Sequence, residues 1–593
     1  MCKWTVQTLA AVWFGLIQYL WLTGFALSAY GAGALLVDRC PAAATWPFGL
    51  RTLLTLAAGI GVLVLCLLAL AIPGLFTPLP VAAVLTVALA HGALAFGRRV
   101  RAWHDQRGPG ASVWPRGADP WFWLAIGALV ALPLLLRPLQ PPRGWDELMY
   151  HLPHARAWAD AGRLTTATAF RFPLFPYNVD LLYAAALLFG NDVLPHLVHA
   201  LAGVLVACGL VAAGSRYFTT AAGLVAGALF LASAAWGFGV AYVDLGLTLF
   251  VAYAFLTLAL WYEGDDDRLA ALAAFFLGLA VGTKYQALLF VPIVGFWIVR
   301  RSRRPRVLAI ALLAFVAGGG CWYARSFVVS GDPFHPFGGP LFGYWLWDRR
   351  DLAAVVSATR GQGGWPKWYM APALLALVFL SGSSGVYRAL CASGCAALTI
   401  WPIFSWHERY LMPAYPLLAM MAGVAVVRTA AMLDPRRLGV RVSSAWTRAV
   451  RIAVLLLVAA WSLPEARDAA ARIAPTPAQR DALLGPELDG YEMFRALPPG
   501  PAWRLYQFGF EGELYYAPVP VVGDWVGAQR YRAVFDLAAD PPALAAWLES
   551  LGVNGLLVNT RRTPFAAVRF GPGFDAHFEL VAETPSARLY RLR

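Results

Sequence analysis

What most limits the fold of this chain is a succession of apolar runs. Each is about 17–25 residues long and nearly free of charge, the length at which a helix crosses the ~30 Å hydrocarbon core of a bilayer. Of the 593 residues, 60% are hydrophobic and only 13% are charged, where a soluble protein carries about 25% charged residues. The pattern predicts a polytopic α-helical membrane protein.

About fourteen such runs can be placed, at roughly 6–30, 51–73, 80–97, 120–137, 192–214, 219–238, 241–262, 269–283, 286–300, 306–326, 367–382, 386–404, 410–430 and 448–464. The first is too long for a signal-peptide core and is expected to stay as a span. A basic linker with Arg98, Arg99, Arg101, Arg107 and Arg116 follows the third run. After the fourth comes a long polar loop, 138–191, with two expected amphipathic helices. One starts near Asp146 and runs to about Ala161, with Pro153 as a kink point; the other starts near Asn178. After Pro464 the composition turns to Pro, charge and paired apolar residues. Trp503–Phe508 and Val553–Val558 read as strands, Pro541–Leu551 as a helix stopped by Gly552, and Phe578–Ala582 with Ala587–Leu592 as a closing hairpin. The expected organisation is therefore 1–119 (first spans and linker), 120–464 (membrane core) and 465–593 (a small α/β domain).

The formal net charge of +14 does not point to nucleic acid. The arginines cluster in short loops between apolar runs, where they act as topology signals. If the Arg98–Arg107 linker is cytoplasmic, alternation also puts Arg300, Arg301, Arg303 and Arg304 inside, together with Arg436, Arg437, Arg441, Arg448 and Arg451. The same count puts the Asp146 loop, Asp244, Lys284, Arg325, the loop 331–351, His407–Arg409 and the C-terminal domain outside. Polar residues that no topology signal needs thus gather on one face.

The densest of them stand in Gly144-Trp145-Asp146-Glu147-Leu148-Met149-Tyr150-His151-Leu152-Pro153-His154. Carboxylates next to a span are costly to keep there, and so mark a functional site. Asp146 and Glu147 are adjacent, so on a helix they point about 100° apart and cannot act as one dyad. A helix cap is the competing role for Asp146. Tyr150, His151 and His154 are candidates for substrate contacts. The two histidines find no third metal ligand nearby. Lys284 closes a run in a chain whose only other lysines are Lys3 and Lys367, and its ammonium suits a phosphate; snorkelling is the alternative. Arg325 holds the same position at the next outward end. Arg409 has Glu408 as an obvious partner, and His407 adjoins both. Asp244 lies just inside a span and needs a partner. The seven cysteines show no CxxC or Cys/His metal spacing.

In this order the motifs resemble those of membrane glycosyltransferases of the C-type fold, in particular the bacterial relatives of protein O-mannosyltransferases and of the lipid A aminoarabinose transferase. The resemblance rests on Trp145–Leu152, Tyr242-Val243-Asp244, Gly278–Tyr285, Trp322–Arg325 with Gly331-Asp332-Pro333-Phe334, and Arg409–Pro413. It covers about 120–430 well. It implies a polyprenyl-phosphate sugar donor, inversion, and a catalytic carboxylate at Asp146, with Glu147 beside it. Lys284, Arg325 and Arg409 would hold the donor phosphate. Tyr150, His151, His154, Asp244 and His407 would contact substrate. The acceptor would be a glycan, lipid or protein, and the site would face outward from a bacterial inner membrane. No cofactor is assigned, and a divalent metal stays open. Tyr150-His151-Leu152-Pro153 extends the family signature, which leaves sugar and acceptor open. A transporter or flippase of lipid-linked glycans would instead place ionisable residues near the midplane. A non-catalytic scaffold that keeps the fold is the third alternative.

Overall fold

The computed structural model describes residues 2–107, 118–361, 370–433, 443–500 and 502–593. Arg116, Lys367, Arg436, Arg437 and Arg441 lie outside them. The chain forms two compact units. One comprises 1–140, 176–321 and 359–473; the other comprises 141–175, 322–358 and 474–593.

In the first unit and its continuations, eleven helices among the described residues are long and apolar enough to cross a membrane. The count differs from fourteen at three places. Arg268–Val281 has 14 residues, about 21 Å at 1.5 Å per residue. The run after it opens as a 3-10 turn, Tyr285–Phe290, and becomes α-helical only over Val291–Arg301. The described part of 367–382 is two short turns, Pro372–Leu375 and Ala376–Phe379. A hydropathy window counts apolar residues and is blind to breaks in the backbone between them.

The short Arg268–Val281 helix is held by glycine contacts. A Cβ on Gly278 would meet Phe315 O at 2.1 Å, and one on Gly319 would meet Gly278 O at 2.3 Å. Backbones this close admit no side chain, which is how small residues pack helices in a membrane. Asn178 stitches the same end. Its amide nitrogen donates to Leu279 O at 3.1 Å and Gly318 O at 2.8 Å, and its backbone N–H to Gly282 O at 2.9 Å. The chain then leaves the helix and runs extended at Lys284 (φ −163°). The expected domain boundary at 465 falls inside the helix Ser444–Ala471, which carries Pro464; the second unit takes up the chain at Ala474.

The second unit is built on a five-stranded sheet: β1 Leu505–Phe508, β2 Val521–Val522, β3 Gly555–Asn559, β4 Phe578–Thr584 and β5 Ala587–Leu592. Its order is β2-β1-β3-β5-β4, with β1 parallel to β2 and β3, and β5 antiparallel to β3 and β4. Side chains alternate across it. Tyr506, Phe508, Leu556 and Val558 face one core, and Leu505, Leu557 and Leu589 face the other, as a period of two dictates. Ala169 and Phe170, from the loop after the fourth span, pack on these cores.

Candidate functional site

In the membrane unit, Asp244 is the meeting point. It is the first residue of the helix Asp244–Glu263 and is 2% exposed. Lys284 Nζ lies 3.1 Å from its Oδ1. Arg409 donates to its Oδ2 through Nε at 3.1 Å and Nη2 at 2.7 Å. Three points far apart in sequence converge here. Two cations face one carboxylate. Aromatic faces enclose it: the Arg409 guanidinium lies 4.2 Å from the Tyr242 ring centre and 5.5 Å from that of Trp236, and the Lys284 ammonium 5.4 Å from that of Tyr410. Cations over π faces in a desolvated setting gain further attraction.

The elements that hold the cluster are themselves tied down. The helix starting at Asp244 leaves orphan amides at its first turn. Leu245 N–H donates to His199 Nε2 at 2.9 Å, which fixes the His199 tautomer with Nδ1–H on Gly237 O at 2.8 Å. Tyr183 O–H donates to Tyr242 O, one residue before Val243. On the third strand of the convergence, His407 Nδ1 accepts from Arg409 N–H at 3.2 Å and caps the turn Glu408–Ala414. Arg409 bonds Asp244 rather than acting only as the neighbour of Glu408. Glu408 Oε1 accepts from Tyr415 O–H at 2.7 Å.

In the second unit, the acidic stretch folds as one wide turn, Glu147–His151, followed by the α-helix Leu152–Ala161. Leu152 N–H bonds Glu147 O, five residues back. The widened turn precedes Pro153, which lacks the N–H of a regular helix and would crowd the carbonyl four residues earlier. Gly162 ends the helix at φ 64°, a conformation glycine adopts without strain. The two carboxylates part company. Glu147 is fully buried, and its Oε1 accepts from Arg143 N–H at 2.6 Å and from Gly144 N–H. Asp146 is half-buried and makes no capping hydrogen bond, so the helix-cap role for it is not realised.

Tyr150 and His151 are buried, with ring centres 4.2 Å apart. Tyr150 meets Phe172 edge-on at 5.2 Å, and Phe172 stacks on Phe175 at 4.1 Å and lies 5.6 Å from Trp347. His154 is fully buried between Trp158 and Phe170. Its Nε2 bonds Arg171 O at 3.0 Å, and burial pushes its pKa down to about 3. Arg325 donates to Thr165 O and Thr166 Oγ1, both at 3.0 Å, and to Pro173 O at 3.3 Å. It clamps the far end of the acidic loop. Lys284 and Arg409 therefore share one carboxylate in one unit, while Arg325 belongs to the other.

The C-terminal segment grips this loop along its length. Tyr516 O–H donates to Pro142 O at 2.6 Å, and Arg143 pairs with Glu487 at 3.2 Å. Arg156 donates to Tyr515 O at 2.7 Å with its guanidinium over the Tyr515 ring. Arg171 pairs with Asp524. Trp145, next to Asp146, lies against Gly512, where any Cβ would meet its ring at 2.6 Å; the Arg562 guanidinium lies 4.8 Å from that ring's centre. Arg562 in turn pairs with the buried Glu511 at 2.7 Å, which also accepts from Tyr531 and Trp525. Among the described residues there is no group of three or more His, Cys, Asp or Glu that could hold a metal.

Sequence reasoning missed His199 and Arg562, and read Asn178 only as a helix start and Trp145 only as part of the acidic motif. An ionisable residue inside a span is a signal by itself, and His199 carried it. Arg562 carried none, because its ion-pair partner Glu511 is 51 residues away and the Trp145 ring it lies over is in the distant acidic loop.

The bundle, the polar cluster and the appended sheet unit can now be set beside known proteins. ArnT from Cupriavidus metallidurans, solved bound to undecaprenyl phosphate, superposes with a TM-score of 0.50 at 15% identity, covering 80% of this chain and 98% of that one. The Archaeoglobus fulgidus oligosaccharyltransferase gives 0.45 at 14% identity over 74% and 69%. The mycobacterial arabinofuranosyltransferase AftD gives 0.46 at 18% over 80% and 42%. The chain is a polytopic membrane protein of the C-type glycosyltransferase fold. In sequence it is 32% identical over 146 residues to the uncharacterized protein SF2092/S2214 of Shigella flexneri, covering 22% of this chain and 76% of that protein, and it belongs to that protein's family. A second Shigella flexneri protein, SF2093/S2215, is 36% identical over 125 residues, 21% of this chain and 63% of its own length. The family model described as SF2091/S2213 matches residues 479–591.

Proposed function

We propose that this protein is a glycosyltransferase that moves a sugar from a polyprenyl-phosphate donor to an acceptor hydroxyl or amine, with inversion, at the outer face of the membrane. The observation that carries the reading is the Asp244 cluster: Lys284 and Arg409 brought together on one buried carboxylate. Such a cluster suits a phosphate monoester or diester, which charge-assisted donors bind about twice as strongly as neutral ones. Undecaprenyl phosphate in the ArnT structure supports a lipid donor of that class.

In the reaction the bond from the anomeric carbon to the phosphate oxygen breaks, and the electron pair leaves on the lipid phosphate. Lys284 and Arg409 stabilise that charge where it develops. The acceptor oxygen or nitrogen bonds the anomeric carbon from the opposite face and gives its proton to Asp146. A positioned base contributes roughly 10²–10⁴-fold. The leaving phosphate needs no acid, so one carboxylate is enough. Glu147 keeps the loop backbone, Arg325 positions the loop, His407 sets the turn of Arg409, and Tyr150 and His151 form the wall behind Asp146. His154 belongs to the loop's core.

The test is purified full-length protein incubated with a panel of polyprenyl-phosphate sugars and scored for release of free lipid phosphate. Release with one sugar, lost in Asp146→Asn, is expected. No release with any sugar, together with transport of a lipid-linked glycan in proteoliposomes, would replace this reading by the flippase.

A further inference from the structure

A second feature of the membrane unit has no part in that chemistry. Between the helices Leu194–Tyr217, Asp244–Glu263, Gly385–Phe404 and Tyr415–Met432 lies a cavity of about 570 Å³, well inside the roughly 300–1,000 Å³ range of ligand sites. Its walls are apolar, with Leu210, Leu256, Leu417 and Met420 among them. Apart from the buried Tyr217 hydroxyl, which has no hydrogen-bond partner among the described residues, polar groups in the wall are engaged within the protein. Trp297 Nε1 donates to Ser393 Oγ at 2.9 Å, Tyr262 O–H to Trp297 O at 2.7 Å, and Tyr253 O–H to Leu205 O at 2.9 Å. Water needs two to four polar partners to stay in such a space, and this wall offers few.

The cavity has a polar end. On the helix Asp244–Glu263 it runs from Ala252 to Tyr262, about 15 Å at 1.5 Å per residue and half of a ~30 Å hydrocarbon core. That is the depth of one leaflet, and it lies at the opposite end of the helix from Asp244. Arg300 and Arg388 line it there, both exposed. Neighbouring arginines at these helix ends have carboxylates: Arg216 pairs with Glu263 at 2.6 Å and Arg301 with Asp265 at 3.1 Å. Arg300 and Arg388 have none among the described residues.

We propose that this cavity holds one acyl chain of an anionic phospholipid, with the lipid phosphate on Arg300 and Arg388. Basic pockets between spans on the arginine-rich side of a membrane suit anionic headgroups. The charge pair selects an anionic headgroup over a zwitterionic one, and the one-leaflet depth selects an acyl chain over a long polyprenyl chain.

The probe is native mass spectrometry of the full chain released from nanodiscs of equimolar phosphatidylglycerol and phosphatidylcholine. One retained phosphatidylglycerol per protein is expected, reduced at least tenfold in an Arg300→Gln, Arg388→Gln double variant. Ala259→Phe fills the cavity and leaves both arginines, so it should also lose the lipid while remaining monodisperse on gel filtration. Equal retention of phosphatidylcholine, retention unchanged in either variant, or retention of polyprenyl phosphate in its place would each overturn the assignment. The readout does not involve sugar transfer, so its failure would leave the proposed reaction standing.

Discussion

Arg409 reaches back 165 residues to place its Nη2 2.7 Å from Asp244 Oδ2. Lys284 holds the other oxygen of the same carboxylate at 3.1 Å. Removing the centre of such a cluster takes the shared carboxylate from the buried Lys284 and the partly buried Arg409. Asp244→Ala is expected to destabilise the protein by roughly 3–5 kcal/mol, the usual cost of breaking a buried pair. Lys284→Met leaves Asp244 on Arg409, so it should keep the fold and weaken donor binding by roughly 1.5–3 kcal/mol. Thermal unfolding and polyprenyl-phosphate titration of the two variants separate these effects. Equal melting temperatures for Asp244→Ala and wild type would deny the cluster its structural part.

The adjacent carboxylates should separate in the same way. Asp146→Asn is expected to lose roughly 10²–10⁴-fold in turnover with an unchanged melting temperature. Glu147→Gln loses charge-assisted bonds to Arg143 and Gly144, so it should destabilise the loop by roughly 1.5–3 kcal/mol. Wild-type turnover in Asp146→Asn would move the base to Asp244, Glu147 or His151.

The contact of Trp145 with Gly512 makes the C-terminal unit a positioner of the acidic loop. Gly512→Val must push the indole away from its place. Turnover is expected to fall about 10²-fold, the order seen when a catalytic group is misplaced by an ångström, with donor affinity retained. A change in donor affinity alone would argue against this role.

His154 gives the second unit a pH dependence whose sign is fixed. Its folded pKa is about 3 and its unfolded value about 6.5. Below pH 6.5 the unfolded chain binds a proton that the folded one does not, so this stability is present above that pH and is lost as pH falls toward 3, by up to about 1.4 kcal/mol per unit. Glu513 acts in the opposite direction. Burial, with Glu511 and Asp489 nearby, raises its carboxyl well above the usual range, so its contribution is lost as pH rises. His154→Gln should flatten the acid limb of a stability–pH curve, and Glu513→Gln should raise the melting temperature at pH 8 but not at pH 4.

Topology supplies another check. The acidic loop 141–175 and the segment 474–593 fall in one compact unit, so they must lie on one side of the membrane. Single-cysteine variants in intact cells should label in both places before permeabilisation. Labelling of the tail only afterwards would reverse the orientation drawn from the arginine clusters.

The sequence alone determined the class of the molecule, because burying apolar runs in lipid is a matter of composition and length. It also fixed the tail strands, since period-two alternation and the Gly552 stop are local: β3, β4 and β5 lie where Val553–Val558, Phe578–Ala582 and Ala587–Leu592 predicted them. The alternation of basic loops gathered Asp244, Lys284 and Arg409 at one end of the bundle. Only the tertiary structure decided that they join on one carboxylate. Ion pairing is set by distance through space, and hydropathy carries no record of it. The same limit hid the different work of Asp146 and Glu147. One step along the chain buries one carboxylate against backbone amides and leaves the other half-exposed, and that choice is made by the wide turn ahead of Pro153 and by the segment packed on Trp145.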